Sequence, residues 1–204
     1  MIIGPKYKIC KRLGSAVFEK CQTQKFALVE ARASDAKRGG RRPSPASDYK
    51  RQLIEKQKLR FMYGLSEGQL ARYVREAVEH DDVPRDALMR RLEARLDNVV
   101  YRLGLAKTRR QARQMVSHRH VTVNGRKVTV PSYTVTEGET LAIREGSRDI
   151  GLLAGREEEL QTVTSPAWLT FDAKALAGSV SAAPSYDPTE LLFDLEQVLE
   201  YYSR

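Results

Sequence analysis

Cysteine is almost missing from this 204-residue chain, which carries only Cys10 and Cys21. Two thiols cannot make a disulfide framework, and the start MIIGPKYKICKR turns basic before a signal-peptide core could form, so a reduced pair in a soluble protein is expected. No stretch approaches the roughly eighteen apolar residues of a membrane span, and no segment pairs a wide apolar face with lysine and arginine as an interfacial helix does. A cytoplasmic or organellar location follows, without a membrane partner. Aromatic residues are 7% of the chain and Trp168 is the sole tryptophan, so stacking platforms for single-stranded bases are scarce. The three histidines, His80, His118 and His120, have no suitably spaced cysteines or carboxylates around them. There is no Walker phosphate loop, HExxH or GxSxG. No metal, no cofactor and no catalytic residue is expected.

Basic charge is what the chain has in excess, at a net +9, and it is unevenly spread. Residues 1–60 hold 16 basic against 5 acidic side chains, 61–92 hold 5 against 6, 93–148 hold 11 against 5, and 149–204 hold 3 against 10. Two cationic regions separated by a near-neutral one point to a polyanionic partner bound with counterion release.

The second cationic region is the most informative. Leu92, Leu96, Val99, Val100 and Leu103 form an apolar stripe ending at Gly104, which predicts a core-facing helix. Arg95, Asn98 and Arg102 fall on the flank of that stripe, to contact a ligand or simply to face water. Thr108 and Gln111 predict a capping box, followed by Ala112, Met115 and Val116 inward and Arg109, Arg110, Arg113 and Ser117 elsewhere. A helix start beside clustered guanidinium groups suits a phosphate. The cationic run Ser117-His118-Arg119-His120 follows directly.

The period then changes to two. Val121 and Val123, an Asn124-Gly125 turn, and Val128 and Val130 predict a hairpin with Arg126 and Lys127 beside its turn. Pro131 closes it. Tyr133 and Val135, the Glu137-Gly138 turn, and Leu141 with Ile143 continue a small sheet.

RLDNVVYRLG followed by TRRQARQMVSHRHVTVNG resembles the α-L RNA-binding motif, in the form it takes in the S-four family of small-subunit ribosomal proteins. Looser versions occur on pseudouridine synthases and aminoacyl-tRNA ligases, so the flanks have to decide the role. GPKYKICKRLG is similar to that ribosomal family's N-terminal GPKxKxCRxxG. SDYKRQLIEKQKLRFMYG carries its SDY, EKQK and YG, and Tyr202-Ser203-Arg204 is its YSR ending. The resemblance implies RNA contacts by Lys6, Lys8, Lys11, Arg12, Arg41 and Arg42 in the arm, and by Tyr49, Lys56, Lys58 and Arg60 in the next helix. Some family members bind zinc through four N-terminal cysteines; two of the four are missing here.

Residues 1–45 show no apolar period and are expected to be a basic arm that orders on a charged partner. A helix capped near Ser47 or Asp48 should turn Leu53, Ile54, Gln57 and Phe61 to one side. Ser66 with Gln69 makes a capping box, Leu65 with Leu70 a hydrophobic staple, and Pro84 a first-turn residue. Glu157-Glu158-Glu159 suggests a solvated helix. Trp168 to Phe171 reads as a short strand whose tryptophan anchors a core rather than stacking on a base. Asp187-Pro188 should cap a last helix bearing Leu191, Leu192, Leu195, Val198, Leu199 and Tyr202. The Ala-rich, acidic stretch from Ser179 to Asp194 departs from the family pattern.

The expected fold is α+β: a helical lobe of residues 46–91 completed by about 174–204, an inserted α-L lobe of 92–173 with two helices on a small twisted antiparallel sheet, and the arm of 1–45. The expected function is that of a structural, RNA-binding component of the small ribosomal subunit. The resemblance further implies early assembly, neighbouring small-subunit proteins, an influence on decoding accuracy, contact with messenger RNA and repression of its own messenger. The alternatives are a stand-alone α-L factor associated with ribosomes and a pseudouridine synthase. The last would place its catalytic aspartate at Asp97 in RLD, but only 59 residues follow Glu145, too few for a catalytic domain.

Overall fold

Short amphipathic stretches separated by glycine, serine and proline make this chain a series of modest helices and one small sheet. A computed structural model describes residues 3–36, 47–80, 83–148, 160, 165–185, 189 and 191–203. The helices are α1 (Lys6–Leu13), α2 (Gln24–Ala36), α3 (Asp48–Met62), α4 (Glu67–His80), α5 (Pro84–Glu93), α6 (Leu96–Arg102), α7 (Arg109–Ser117) and α8 (Leu195–Tyr202). The strands are β1 (Val121–Val123), β2 (Arg126–Lys127), β3 (Thr140–Ile143), β4 (Leu169–Asp172) and β5 (Ala177–Val180). The chain divides into two compact units, Met1–Arg85 with Asp187–Arg204, and Asp86–Tyr186. No described helix is long and apolar enough to cross a membrane.

In the first unit the expected arm is folded through residue 36. Cys10, Leu13, Val17, Phe18, Cys21 and Phe26 form a small core, joined by Ile54 and Phe61 of α3. The sequence concealed this core because its residues are scattered over α1, the following loop, a 3-10 turn at Glu19–Cys21 and the start of α2, so that no one element carries enough of them to display a period. Cys10 and Cys21 are unbridged and buried. Burial, and then the adjoining Cys10 thiol, push the Cys21 thiol up to about 12, so Cys21 is not poised as a thiolate. No group of three metal-ligating side chains exists among the described residues.

Ser47 caps α3 by accepting from the Lys50 amide. The buried side of this helix is not the expected one: Gln52, Lys56 and Leu59 are covered, while Leu53 and Gln57 are only partly so. The cover is α8, which packs along α3 and brings Glu200 to accept from Gln52. The α8 cap is Asp194, accepting from the Glu196 and Gln197 amides. The expected Asp187-Pro188 cap lies outside the described residues, as do Glu157-Glu158-Glu159 and the Arg41-Arg42 pair. Leu65 and Leu70 are fully buried around α4, where Ser66 accepts from the Gln69 amide.

In the second unit α6 and α7 lie on an antiparallel sheet of order β2-β1-β3-β5-β4. Asn124 and Gly125 both have positive φ, at 48° and 77°, and pair Val123 with Arg126 across a two-residue turn. The return strand is shorter than expected, and Val130 is exposed. Trp168 and Leu169 are buried in this core. The sheet extends beyond residue 173, because Ala177–Val180 pairs with both β3 and β4. Glycine is required at 178: a Cβ there would lie 2.8 Å from a methyl of Leu103, the residue that ends α6, and 2.8 Å from the Thr170 carbonyl oxygen.

Candidate nucleic-acid interface

The predicted continuous helix through Leu92 is broken. Arg95 is extended, at φ −66° and ψ 135°, and forms an isolated antiparallel bridge with Thr134. The Leu96 amide donates to the Tyr133 carbonyl at 2.8 Å and the Asp97 amide to the Pro131 carbonyl at 3.1 Å. Residues 131–135 thus take over the first N–H groups of α6, which lacks a side-chain cap at Arg95. The Tyr133 to Val135 segment serves this purpose instead of forming a separate strand.

Arg95 is consequently buried, at 1% exposure, and holds Asp97 by two hydrogen bonds of 3.0 and 2.6 Å. Asn98, also at 1%, donates to Glu93 Oε2 at 2.9 Å. Arg102 donates to the same carboxylate at 3.0 Å. The expectation that Arg95 and Asn98 present polar groups on an exposed flank is therefore corrected: the break turns both inward, and Arg102 is tied to Glu93. Asp97 has the ordinary role of an ion-pair partner.

What this buried network does is orient α7. Asn98 Oδ1 accepts from Arg109 Nε at 2.9 Å, and the Arg109 guanidinium lies 4.4 Å from the Tyr101 ring centre. Arg113 Nη1 stands 4.0 Å from Asp97 Oδ2. Thr108 caps α7 through the Gln111 amide, as predicted, but Gln111 returns to the Lys107 amide, one residue before the cap. Beyond this anchored side Arg110 is exposed.

The α7 C-terminus adds a second cationic group. The His120 amide donates to the Met115 carbonyl at 3.0 Å, and Arg119 takes a left-handed φ of 65°, the geometry that helices usually end on with glycine. His118 and Arg119 are exposed, and His120 is half-buried. His120 Nδ1 is 3.0 Å from Ser147 Oγ, which also accepts from Arg144 Nε at 3.2 Å. Burial, then His118 and Arg144, hold the His120 imidazole below its ordinary range. Arg126 and Lys127 are exposed on β2. Exposed Asn124 uses Oδ1 to accept from the Thr140 amide, so its first task is the turn.

Arg144 was missed in the sequence. Its signal was the register: β1 pairs Val121 with Ile143, which makes His120 and Arg144 the next neighbours across the strands. The Glu93 network had no local signal, because its members straddle the helix break.

In the first unit Lys8, Lys11 and Arg12 are exposed along α1, while Lys6 is half-buried with its ammonium 5.6 Å from the Phe18 ring centre. Tyr49 is exposed beside Tyr201. The expected RNA contact by Lys56 is corrected. Its ammonium is buried 2.6 Å from Glu67 Oε1 and 4.2 Å from the Tyr201 ring centre, and Tyr202 Oη donates to the same Glu67 oxygen at 2.8 Å. Lys58 pairs with Glu55 at 2.7 Å, and Arg60 with Glu67 at 3.4 Å, both partly covered.

Comparison with known proteins fits this geometry. Residues 1–93 match the family described as ribosomal protein S4/S9 N-terminal domain, and residues 94–141 match the S4 domain. The chain is 42% identical to the small ribosomal subunit protein uS4A of Symbiobacterium thermophilum, covering 98% of each. It is 40% identical to the uS4 protein of Koribacter versatilis, over 97% of this chain and 96% of that protein. With the uS4 protein of Thermus thermophilus it shares 39% identity, over 99% of this chain and 98% of that one.

Proposed function

From its membership of the uS4 family of small ribosomal subunit proteins, to which this chain belongs along nearly its whole length, we propose that it is a structural, RNA-binding constituent of that subunit. Its partners are small-subunit ribosomal RNA and neighbouring ribosomal proteins. The family is structural and not enzymatic.

The observation that carries the reading is the run of exposed basic side chains from α7 to β2 of the second unit: Arg110 on α7, His118 and Arg119 at its end, and Arg126 and Lys127 on β2. These groups suit phosphates and RNA shape better than base edges. In the first unit exposed Lys8, Lys11 and Arg12 of α1 offer RNA contacts of their own, and the resemblance adds Arg41 and Arg42. Arg95 and Asn98 contribute by holding α7 in position, while Lys56 ties α3 to α4 and α8. On the resemblance alone, the reading extends to early binding during subunit assembly, an influence on decoding accuracy, and repression of the protein's own messenger.

Binding of the purified chain to small-subunit ribosomal RNA, measured against salt, tests the core of the proposal. Affinity should fall steeply with ionic strength. Arg110→Ala with Arg126→Ala should weaken it by about 1–3 kcal/mol and lower the salt slope by roughly two, with an unchanged thermal midpoint. A stand-alone factor would bind RNA yet leave small-subunit particles in moderate salt, whereas a constituent co-sediments with them.

A further inference from the structure

Where α7 ends, three nitrogen-rich side chains meet, with no carboxylate paired to them among the described residues. His118 comes from the helix cap, His120 from the residue leading into β1, and Arg144 from the residue leaving β3. The two imidazole centres are 6.1 Å apart. The Arg144 amide donates to the His120 carbonyl at 2.9 Å, which fixes the two backbones side by side. The charged groups acting on His120 are His118 and Arg144. Exposed Arg119 lies between the two histidines in sequence, and none of these four residues makes an ion pair among the described residues.

Ser147, 1% exposed in the 3-10 turn Glu145–Ser147, joins the group from a third element. Arg144 Nε can only donate, so Ser147 Oγ accepts there and can turn its own hydrogen toward His120 Nδ1. Neutral His120 then carries its proton on Nε2, the nitrogen that Ser147 does not use. If the ring takes up a second proton, Nδ1–H donates to the remaining lone pair of Ser147 Oγ. His120 can therefore change charge without losing its anchor.

We propose that His118, His120 and Arg144 form a binding site for an RNA backbone phosphate, and that filling it draws a proton onto His120. This assignment rests on the RNA-binding reading above and adds Arg144 and a pH response to it. Like charges gathered without a counterion disfavour protonation, and a phosphate removes that penalty while the planar guanidinium offers it paired N–H donors. Phosphate thus raises the His120 pKa. Affinity is highest below the imidazole range of the free protein, and it declines as pH climbs through the raised range of the complex.

The test is binding of the full chain to small-subunit ribosomal RNA at about pH 5.5 and about pH 8, at fixed salt. Each unit of pKa rise corresponds to a tenfold change. The wild type should bind about tenfold tighter at the lower pH. His118→Gln with His120→Gln should abolish most of this difference, with His80 left as an internal control, and Arg144→Gln should reduce it. Imidazole proton NMR of the wild type gives a readout independent of the variants' folding, in which the His120 resonance should titrate at higher pH with RNA present. A wild-type affinity equal at both pH values, a double variant with the full response, or a His120 titration unmoved by RNA would overturn the site. Absence of salt-sensitive binding at every pH would instead overturn the RNA-binding reading itself.

Discussion

Arg95 and Asp97, two residues apart, face each other through paired hydrogen bonds of 3.0 and 2.6 Å in the interior of the second unit. A helix could not bring residues at that spacing together; the break at Arg95 does. Removing one charge from such a pair leaves the other buried and uncompensated, which costs about 3–5 kcal/mol. Asp97→Ala should therefore lower stability by that order in urea denaturation, whereas Arg95→Met with Asp97→Leu should lose much less. Equal losses in the single and double variants would show that the pairing itself is not what matters.

Lys56 and Glu67 make a second prediction, on the acid side of the stability curve. Burial alone would raise the Glu67 carboxyl, but hydrogen bonds from Lys56 and Tyr202, with the charges of Lys56 and Arg60, hold it below the ordinary value of 4.5. A depressed carboxylate stabilises the fold above its unfolded pKa, and the gain disappears as pH falls through the depressed folded value. Stability of the wild type should therefore drop on acidification below about pH 4.5, and Glu67→Gln should flatten that limb. Lys56→Met should lower the thermal midpoint at neutral pH while leaving the salt slope of RNA binding unchanged, since the ammonium is enclosed.

These two pairs mark the limit of what the sequence made legible. Thr108 capping α7, the Asn124-Gly125 turn and the inward Ala112, Met115 and Val116 were readable because each is decided within a few residues. The burial of Lys56 was not, since one partner is 11 residues on and Tyr201 comes from the far end of the chain. Arg95 looked like an exposed helix residue because nothing local announces that residues 131–135 will claim the amides of α6. The cations of α7 and β2 were legible as a group, but their division into exposed groups and anchoring groups depends on long-range pairing.

Gly178 was the hardest strand residue to read, because Ala177-Gly178-Ser179 shows no apolar alternation. In the sheet it pairs with Leu141 on one side and Phe171 on the other, with Leu103, just past α6, seated against it. Gly178→Ala would press a methyl onto a backbone carbonyl that cannot step aside. A loss of about 1–3 kcal/mol is expected, the usual cost of overpacking, read as a lower urea midpoint. Leu103→Ala in the same background relieves the side-chain clash but not that with the Thr170 oxygen, so it should not restore stability. Full recovery would mean that Leu103 alone excludes the methyl.

Arg119 allows stability and binding to be separated. Its φ of 65° closes α7 in the left-handed region, where a side chain costs about 1–2 kcal/mol that glycine avoids. Arg119→Gly should therefore raise stability by about 1 kcal/mol in urea denaturation, net of glycine's greater freedom in the unfolded chain. The same change removes an exposed guanidinium from the proposed RNA surface, so affinity should fall and the salt slope should decrease by roughly one. A more stable protein that binds RNA less well would identify the strained residue as one kept for its charge. Higher stability with unaltered affinity would leave Arg119 without a binding role.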